Sequence, residues 1–292
     1  MKDYVICVDA SVDIAQDYIT DHGIVIIPME YMLGEKEMIM ENRLTDEQLT
    51  AFYNAMRQGE MTHTSQITPY YYQQIFKKVA GQGYDILYLS LSSGLSSTYS
   101  SALTAAEEIE DEFDGLKVEV VDTLAGTGGM GLLLMMAVRG KESGMSVTEN
   151  AALLRENARK VCHWFLVDDL KYLYRGGRIS AATAVAGAVL NIKPILKIAD
   201  DGTLVSIAKK RGLPKASAFL TDCFAASVDK SLPSDVIIAH ADCEAEAKAA
   251  KERILRIFPE ANVQICGLGP IIGAHTGPGM MAVIHWGNRN YI

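Results

Sequence analysis

Asp85-Ile86-Leu87-Tyr88-Leu89-Ser90-Leu91-Ser92-Ser93-Gly94-Leu95-Ser96-Ser97-Thr98 decides the fold class. From Ile86 to Leu91 the run is apolar but for Ser90, the composition of a strand covered on both faces. The chain then turns abruptly to serine and glycine, and Ser96–Ile109 carries helical spacing. A buried strand that ends in a small-residue loop and feeds a helix is the repeating unit of a parallel α/β sheet.

The same alternation extends on either side. Upstream, Tyr4–Val8 and Ile24–Ile27 read as strands, and Thr45–Arg57 and Pro69–Ala80 as helices. Thr45-Asp46-Glu47-Gln48 has the order of a capping box, and proline suits a first helical position. Downstream, Val118–Val121 predicts a strand, followed by helices at Gly129–Val138 and Val147–Lys160. Residues 1–160 are therefore expected to form a Rossmann-like α/β domain with a parallel sheet. From Val161 the pattern changes. Val161–Val167 predicts a strand, and short helical pieces follow through Asn191. Pro194–Ile198 and Thr203–Ile207 flank Asp200-Asp201-Gly202, the signature of a hairpin. Val236–Ala239, Val263–Cys266 and Met281–Trp286 then alternate with helices at Lys215–Val228 and Glu244–Phe258. Residues 161–292 are expected to form an α+β domain with a mixed or antiparallel sheet, and a ligand is expected in the cleft between the domains.

Composition narrows the function classes. The chain has 292 residues, 49% hydrophobic and 22% charged, which suits a globular core. A formal charge of −9 removes the electrostatic basis for general nucleic-acid binding. Five cysteines, odd in number and far apart, form neither a disulfide framework nor a zinc ribbon, and they suit a reducing compartment. Tyr4–Val8 is too short for a signal-peptide core. No apolar stretch approaches the ~20 residues of a membrane-spanning helix. A cytoplasmic protein is expected.

Five stretches carry candidate chemistry. Thr62-His63-Thr64-Ser65-Gln66-Ile67-Thr68-Pro69 crowds hydroxyls before a helix, where capping needs only one; the surplus reads as capping or as ligand binding. Ser92–Thr98 reads as an anion cradle at a helix N-terminus or, through Gly94-Leu95-Ser96, as a nucleophile elbow lacking its last glycine. Gly126-Thr127-Gly128-Gly129-Met130-Gly131 has the form G-x-G-x-x-G, but no acid-tipped strand follows, so tight helix–sheet packing, or close approach of an apolar ligand to glycine, is the better account. Tyr174-Arg175-Gly176-Gly177-Arg178-Ile179-Ser180, with Lys209-Lys210-Arg211, offers cations for a phosphate or carboxylate. Gly267–Gly279 holds His275 and Thr276 in what reads as a rigid Gly/Pro loop, whereas His163 and His285 lie in strands and read as packing residues.

Taken in order, Thr64-Ser65-Gln66, Ser93-Gly94-Leu95-Ser96, Asp122, Arg175-Gly176-Gly177-Arg178-Ile179-Ser180, Asn191-Ile192-Lys193-Pro194-Ile195-Leu196 and Gly273-Ala274-His275-Thr276-Gly277-Pro278-Gly279 make the whole chain similar to the DegV family of bacterial fatty-acid-binding proteins. That family includes the lipid-binding subunits of bacterial fatty acid kinase. Three places depart from its pattern: Asp9-Ala10-Ser11-Val12-Asp13 at the opening signature, Ser97 where glycine is usual, and Ile67 where proline is usual. The resemblance implies a two-domain protein that buries one long-chain fatty acid and is not itself a catalyst. It places the carboxylate against Thr64 and Ser96, with His275 in the same network and Ser65, Ser93, Gly94 and Thr276 around it. Arg175, Arg178 and Arg211 then face a partner ATP-dependent kinase that forms the acyl phosphate, and no metal or cofactor belongs to this chain. Leu132, Leu133, Leu134, Met135 and Met136 read either as acyl-chain wall or as ordinary core. The residues alone leave two alternatives: a serine hydrolase using Ser96 and His275, or a carrier or sensor of another small acid.

Overall fold

A computed structural model of the chain describes residues 3–185 and 191–292. The first half runs β1 (Tyr4–Asp9), α1 (Gln16–Asp21), β2 (Val25–Ile27), β3 (Met29–Leu33), β4 (Lys36–Met40), α2 (Asp46–Arg57), β5 (Thr62–Thr64), α3 (Pro69–Ala80), β6 (Asp85–Ser90), α4 (Thr98–Glu112), β7 (Val118–Asp122), α5 (Gly128–Glu142) and α6 (Val147–Asn157). The second runs β8 (Val161–Leu166), α7 (Lys171–Arg175), α8 (Ala181–Val185), β9 (Ile192–Ile198), β10 (Leu204–Arg211), α9 (Leu213–Ser227), β11 (Asp235–His240), α10 (Glu244–Ile257), β12 (Asn262–Gly267), α11 (Pro270–Thr276) and β13 (Met281–Trp286). Of the helical pieces expected through Asn191, α7 and α8 are present, and residues 186–190 lie outside the described residues.

The expected parallel sheet has the order β2-β1-β6-β7. Its central strand β6 is buried along its whole length, as coverage on both faces requires. Local signals start the helices as the sequence predicts. Thr45 and Gln48 close a capping box on α2, and Thr68 caps α3 ahead of Pro69. The second half forms a mixed sheet, β10-β9-β8-β13-β11-β12, in which only β11 and β12 pair in parallel. Gly202, at φ +79°, turns the predicted hairpin. Strand β10 runs further than Ile207, so Lys209-Lys210-Arg211 continues an edge strand.

Two local expectations are corrected. Strands β3, β4 and β5 form a third sheet, antiparallel in the order β4-β3-β5, where the sequence signals no strand. Lys36–Met40 is largely exposed and carries charge, and β5 is only three residues long; pairing across the sheet, not propensity, makes them strands. The glycine-rich stretch around His275 is also not a loop. It holds α11, opened by Pro270 and ended at Gly277, whose φ is +76°.

The two large sheets meet on α5. Helices α9 and α10 cover one face of the mixed sheet, where Trp164, Leu220, Phe224 and Ile254 pack together. The opposite face shares one apolar core with the parallel sheet, and α5 lies within it, touching β1, β6, β8, β11 and β13. Its N-terminal glycines make that approach possible. A Cβ on Gly128 would lie 2.5 Å from Ile237 Cγ2, and one on Gly129 would strike the His163 ring. G-x-G-x-x-G here is a packing motif, as its missing acidic strand predicts. Leu132, Leu133, Leu134 and Met135 are buried in this core.

Gly128→Ala is expected to destabilise the protein by ~1–3 kcal/mol through overpacking against Ile237, which branches at the contact. Urea unfolding checks this: the midpoint falls, whereas an unchanged midpoint contradicts the packing assigned to α5.

Candidate functional site

A cavity of about 850 Å³ is lined from both halves of the chain. Its boundary is β5, the loop from β6 to α4, the Gly126-Thr127 approach to α5, the β9–β10 turn, the Gly177–Ser180 segment and α11. Apolar wall comes from Met29, Leu91, Phe165, Leu173, Ile271 and Met280. Leu132–Met136, read as acyl-chain wall or as ordinary core, are not among its lining.

Polar side chains line the cavity from both halves of the chain. Strand β5 lies against α11, joined by Thr62 Oγ1, which donates to the Ala274 carbonyl at 3.0 Å. Two residues further along β5, Thr64 Oγ1 lies 2.8 Å from His275 Nε2. The surplus hydroxyls before α3 thus divide: Thr68 caps the helix, and Thr62 and Thr64 reach across to α11. Gly176 explains the glycine pair beside the arginines. A Cβ there would collide with His275 Nδ1, so the turn packs directly on the imidazole ring. Burial, with Arg178 and His63 nearby, pushes the His275 pKa down to about 4. The ring is therefore neutral at pH 7.

The serine loop is held by partners outside itself. Asp122 Oδ1 accepts from the Ser93 and Leu124 amides at 3.2 and 3.0 Å. Ser92 Oγ donates to the Gly202 carbonyl at 2.9 Å. A Cβ on Gly94 would lie 2.5 Å from the Gly202 carbonyl carbon, so glycine is required where the loop meets the hairpin turn. Of the amides read as an anion cradle, those within the loop are already engaged. Ser93, Gly94, Leu95, Ser96 and Thr98 all donate their N–H groups within the loop or to Asp122. Ser96 lines the cavity, and its Oγ lies 2.7 Å from Thr98 Oγ1.

All seven candidate carboxylate residues, Thr64, Ser65, Ser93, Gly94, Ser96, His275 and Thr276, line this one cavity. Thr276 contributes little polarity, because its hydroxyl donates to the Ile272 carbonyl of its own helix. The three arginines separate. Arg175 is exposed, Arg211 is exposed on the edge strand, and Arg178 lines the cavity. Arg178 Nε donates to the Leu95 carbonyl at 3.0 Å, and Nη1 donates to the Gly176 carbonyl. Among the described residues no carboxylate pairs with it, and burial lowers its pKa. His163 is buried as expected, yet it also lines the cavity, on the face of β8 that carries Phe165. Period-two alternation along β8 separates His163 and Phe165 from the Trp164 side, and it was the signal available for them. The hydrolase geometry is not assembled: His275 bonds Thr64, and Ser96 bonds Thr98. Among the described residues no cluster of three or more metal-ligating side chains is found.

Residues 3–286 match the family described as an uncharacterised protein family, DegV. A DegV domain-containing protein of Clostridium perfringens is 36% identical over 290 residues, covering 99% of each chain. The chain belongs to the DegV family. Two solved DegV-type structures share the fold. A Thermotoga maritima protein whose structure is described as revealing fatty acid binding is 28% identical, with TM-score 0.81 over 98% of this chain and 100% of its own. A Thermus thermophilus DegV family protein, described for its fatty acid binding, is 26% identical, with TM-score 0.83 over 98% and 100%.

The depressed pKa of His275 has a testable sign. On acidification the unfolded chain takes up this proton near pH 6.5, before the folded one does near pH 4. Stability from the neutral ring is therefore complete above pH 6.5 and is lost as pH falls toward 4. The urea midpoint of the wild type, relative to His275→Asn, is expected to fall across that window; a difference constant with pH contradicts a buried neutral imidazole.

Proposed function

We propose that this chain binds one long-chain fatty acid, carboxylate toward Thr64, Ser96 and His275, and presents it to a partner ATP-dependent kinase for acyl-phosphate formation. The observation that carries this reading is an apolar-walled cavity that also presents hydroxyls, a neutral imidazole and an arginine with no acidic partner among the described residues. At about 850 Å³ it falls in the ~300–1,000 Å³ range of small-molecule sites. Burial of a long acyl chain at ~0.8 kcal/mol per methylene supplies on the order of 10 kcal/mol before ordering losses. The two fatty-acid-binding neighbours support the same ligand class.

Arg178, first expected on the kinase side, is better assigned to the carboxylate, which supplies the charge its guanidinium lacks. Hydroxyl donors leave one carboxylate oxygen nucleophilic toward a γ-phosphate. The exposed Arg175 and Arg211 remain the cations for kinase contact. The kinase would supply ATP and Mg²⁺, since the chain carries no G-x-x-x-x-G-K-[ST] loop. In this reading the chain is a carrier, not the catalyst, and its fatty acid is ligand, not cofactor. The domains divide near residue 160 with the ligand between them. Free cysteines and the lack, among described residues, of a helix able to cross a membrane support a cytoplasmic setting.

Ser96→Ala is expected to weaken fatty-acid retention by ~1.5–3 kcal/mol, the usual value of a hydrogen bond to a charged group. Titration with labelled palmitate or oleate checks it, and unchanged affinity removes Ser96 from the carboxylate site. Arg175→Ala is expected to retain lipid while acyl-phosphate formation with the kinase falls. Loss of lipid in that variant would move Arg175 into the pocket.

A further inference from the structure

The opening signature Asp9-Ala10-Ser11-Val12-Asp13 lines no part of the cavity, yet both of its acids are buried, at 0% and 2% exposure. Among the described residues neither forms a salt bridge; hydrogen bonds offset the loss of water at both, helped at Asp13 by the charge of Arg43 nearby. Those donors are specific. Asp9 Oδ2 accepts from the Leu91 amide at 2.9 Å and from the Tyr88 hydroxyl at 3.0 Å. Its other oxygen accepts from the Ser11 amide and hydroxyl. Leu91 is the residue at which β6 gives way to the serine loop. Asp13 Oδ1 accepts from the Gly269 amide at 2.8 Å, and Oδ2 accepts from Thr127 Oγ1 at 2.5 Å. Gly269 is the N-cap of α11, whose last turn carries His275. Thr127 sits at φ +48°, a conformation strained for a β-branched residue, and the bond to Asp13 holds it there.

One acid therefore grips the start of each arm of the polar site. We infer that Asp9 and Asp13 are its positioning residues: Asp9 sets the loop that carries Ser96, and Asp13 sets the helix that carries His275. The inference rests on the fatty-acid reading for its ligand. The short spacing has a mechanical reason. Asp9 ends β1 and Asp13 lies four residues on, in the buried turn before α1, so one short segment references two elements far apart in sequence.

Substitution chemistry differs at the two sites. In Asp9→Asn either orientation turns an NH₂ group toward a backbone N–H, that of Leu91 or that of Ser11. The side chain loses one of its two anchors, and the fixed link from Ser11 through Asp9 to Leu91 is broken. Asp13→Asn can keep Gly269 on its oxygen and point its NH₂ at the Thr127 hydroxyl, so little should change. Asp13→Ala removes both bonds.

Double-mutant cycles on oleate affinity separate positioning from general stability. Asp9→Asn and Asp13→Ala are each expected to weaken oleate about tenfold, and Asp13→Asn less than about threefold. In a Ser96→Ala background, Asp9→Asn should cost under about threefold, while Asp13→Ala keeps its full effect. A His275→Ala background should reverse that order. Additive losses in both backgrounds, or coupling of Asp9 to His275 and Asp13 to Ser96, overturn the inference. Should Asp13→Ala fail to fold, Asp13→Glu presses one methylene further against Gly269 and is expected to shift the His275 ring resonances in NMR; unmoved resonances overturn it equally. Wild-type protein that binds no oleate defeats the fatty-acid reading alone, and the His275 resonances of the Asp13 variants still decide the positioning.

Discussion

The close approach of α5 to the mixed sheet is the constraint on which the rest of the structure depends. Glycines at 128 and 129 leave room for Ile237 and the His163 ring where any Cβ would intrude. With α5 seated, one apolar core spans the parallel sheet and the inner face of the mixed sheet. That shared core fixes the two halves of the chain against each other. The β6–α4 loop and α11, contributed by different halves, can then face one cavity.

In the fatty-acid reading, the carboxylate is received among hydroxyls, one imidazole and one guanidinium. His275 is neutral because burial removes the water a cation would need, and its Nε2 is engaged by Thr64. Ser96 supplies a hydroxyl, and Arg178 supplies a cation that also donates to the Leu95 and Gly176 carbonyls. Glycines do the fitting: Gly176 against the imidazole and Gly94 against the hairpin turn. Such a site suits a carboxylate at the end of an apolar chain, with affinity from the tail and orientation from the head.

Much of this was legible in the sequence where local chemistry decides the structure. Strong apolar runs gave β1, β6, β7, β8 and β13, and capping residues placed the starts of α2 and α3. The site motifs were legible as clusters of hydroxyls and glycines, although their purpose was not. What stayed hidden depends on partners distant in sequence. Strands β3, β4 and β5 lack strand-like composition and exist through pairing. His275 lies on a helix whose glycines made it read as a loop. Arg178 read as exposed because its turn is basic, yet the Leu95 and Gly176 carbonyls draw it to the cavity. Asp9 and Asp13 gave no local sign of a role, because Leu91, Thr127 and Gly269 meet them only in the folded chain.

The central claim is that this cavity holds one long-chain fatty acid. Purified protein can be denatured, extracted into organic solvent, and the extract quantified by mass spectrometry. About one long-chain fatty acid per chain is the predicted result, and its length and unsaturation would report the ligand directly. An empty extract from protein that also fails to take up added oleate or palmitate would contradict the account and return the cavity to another small acid.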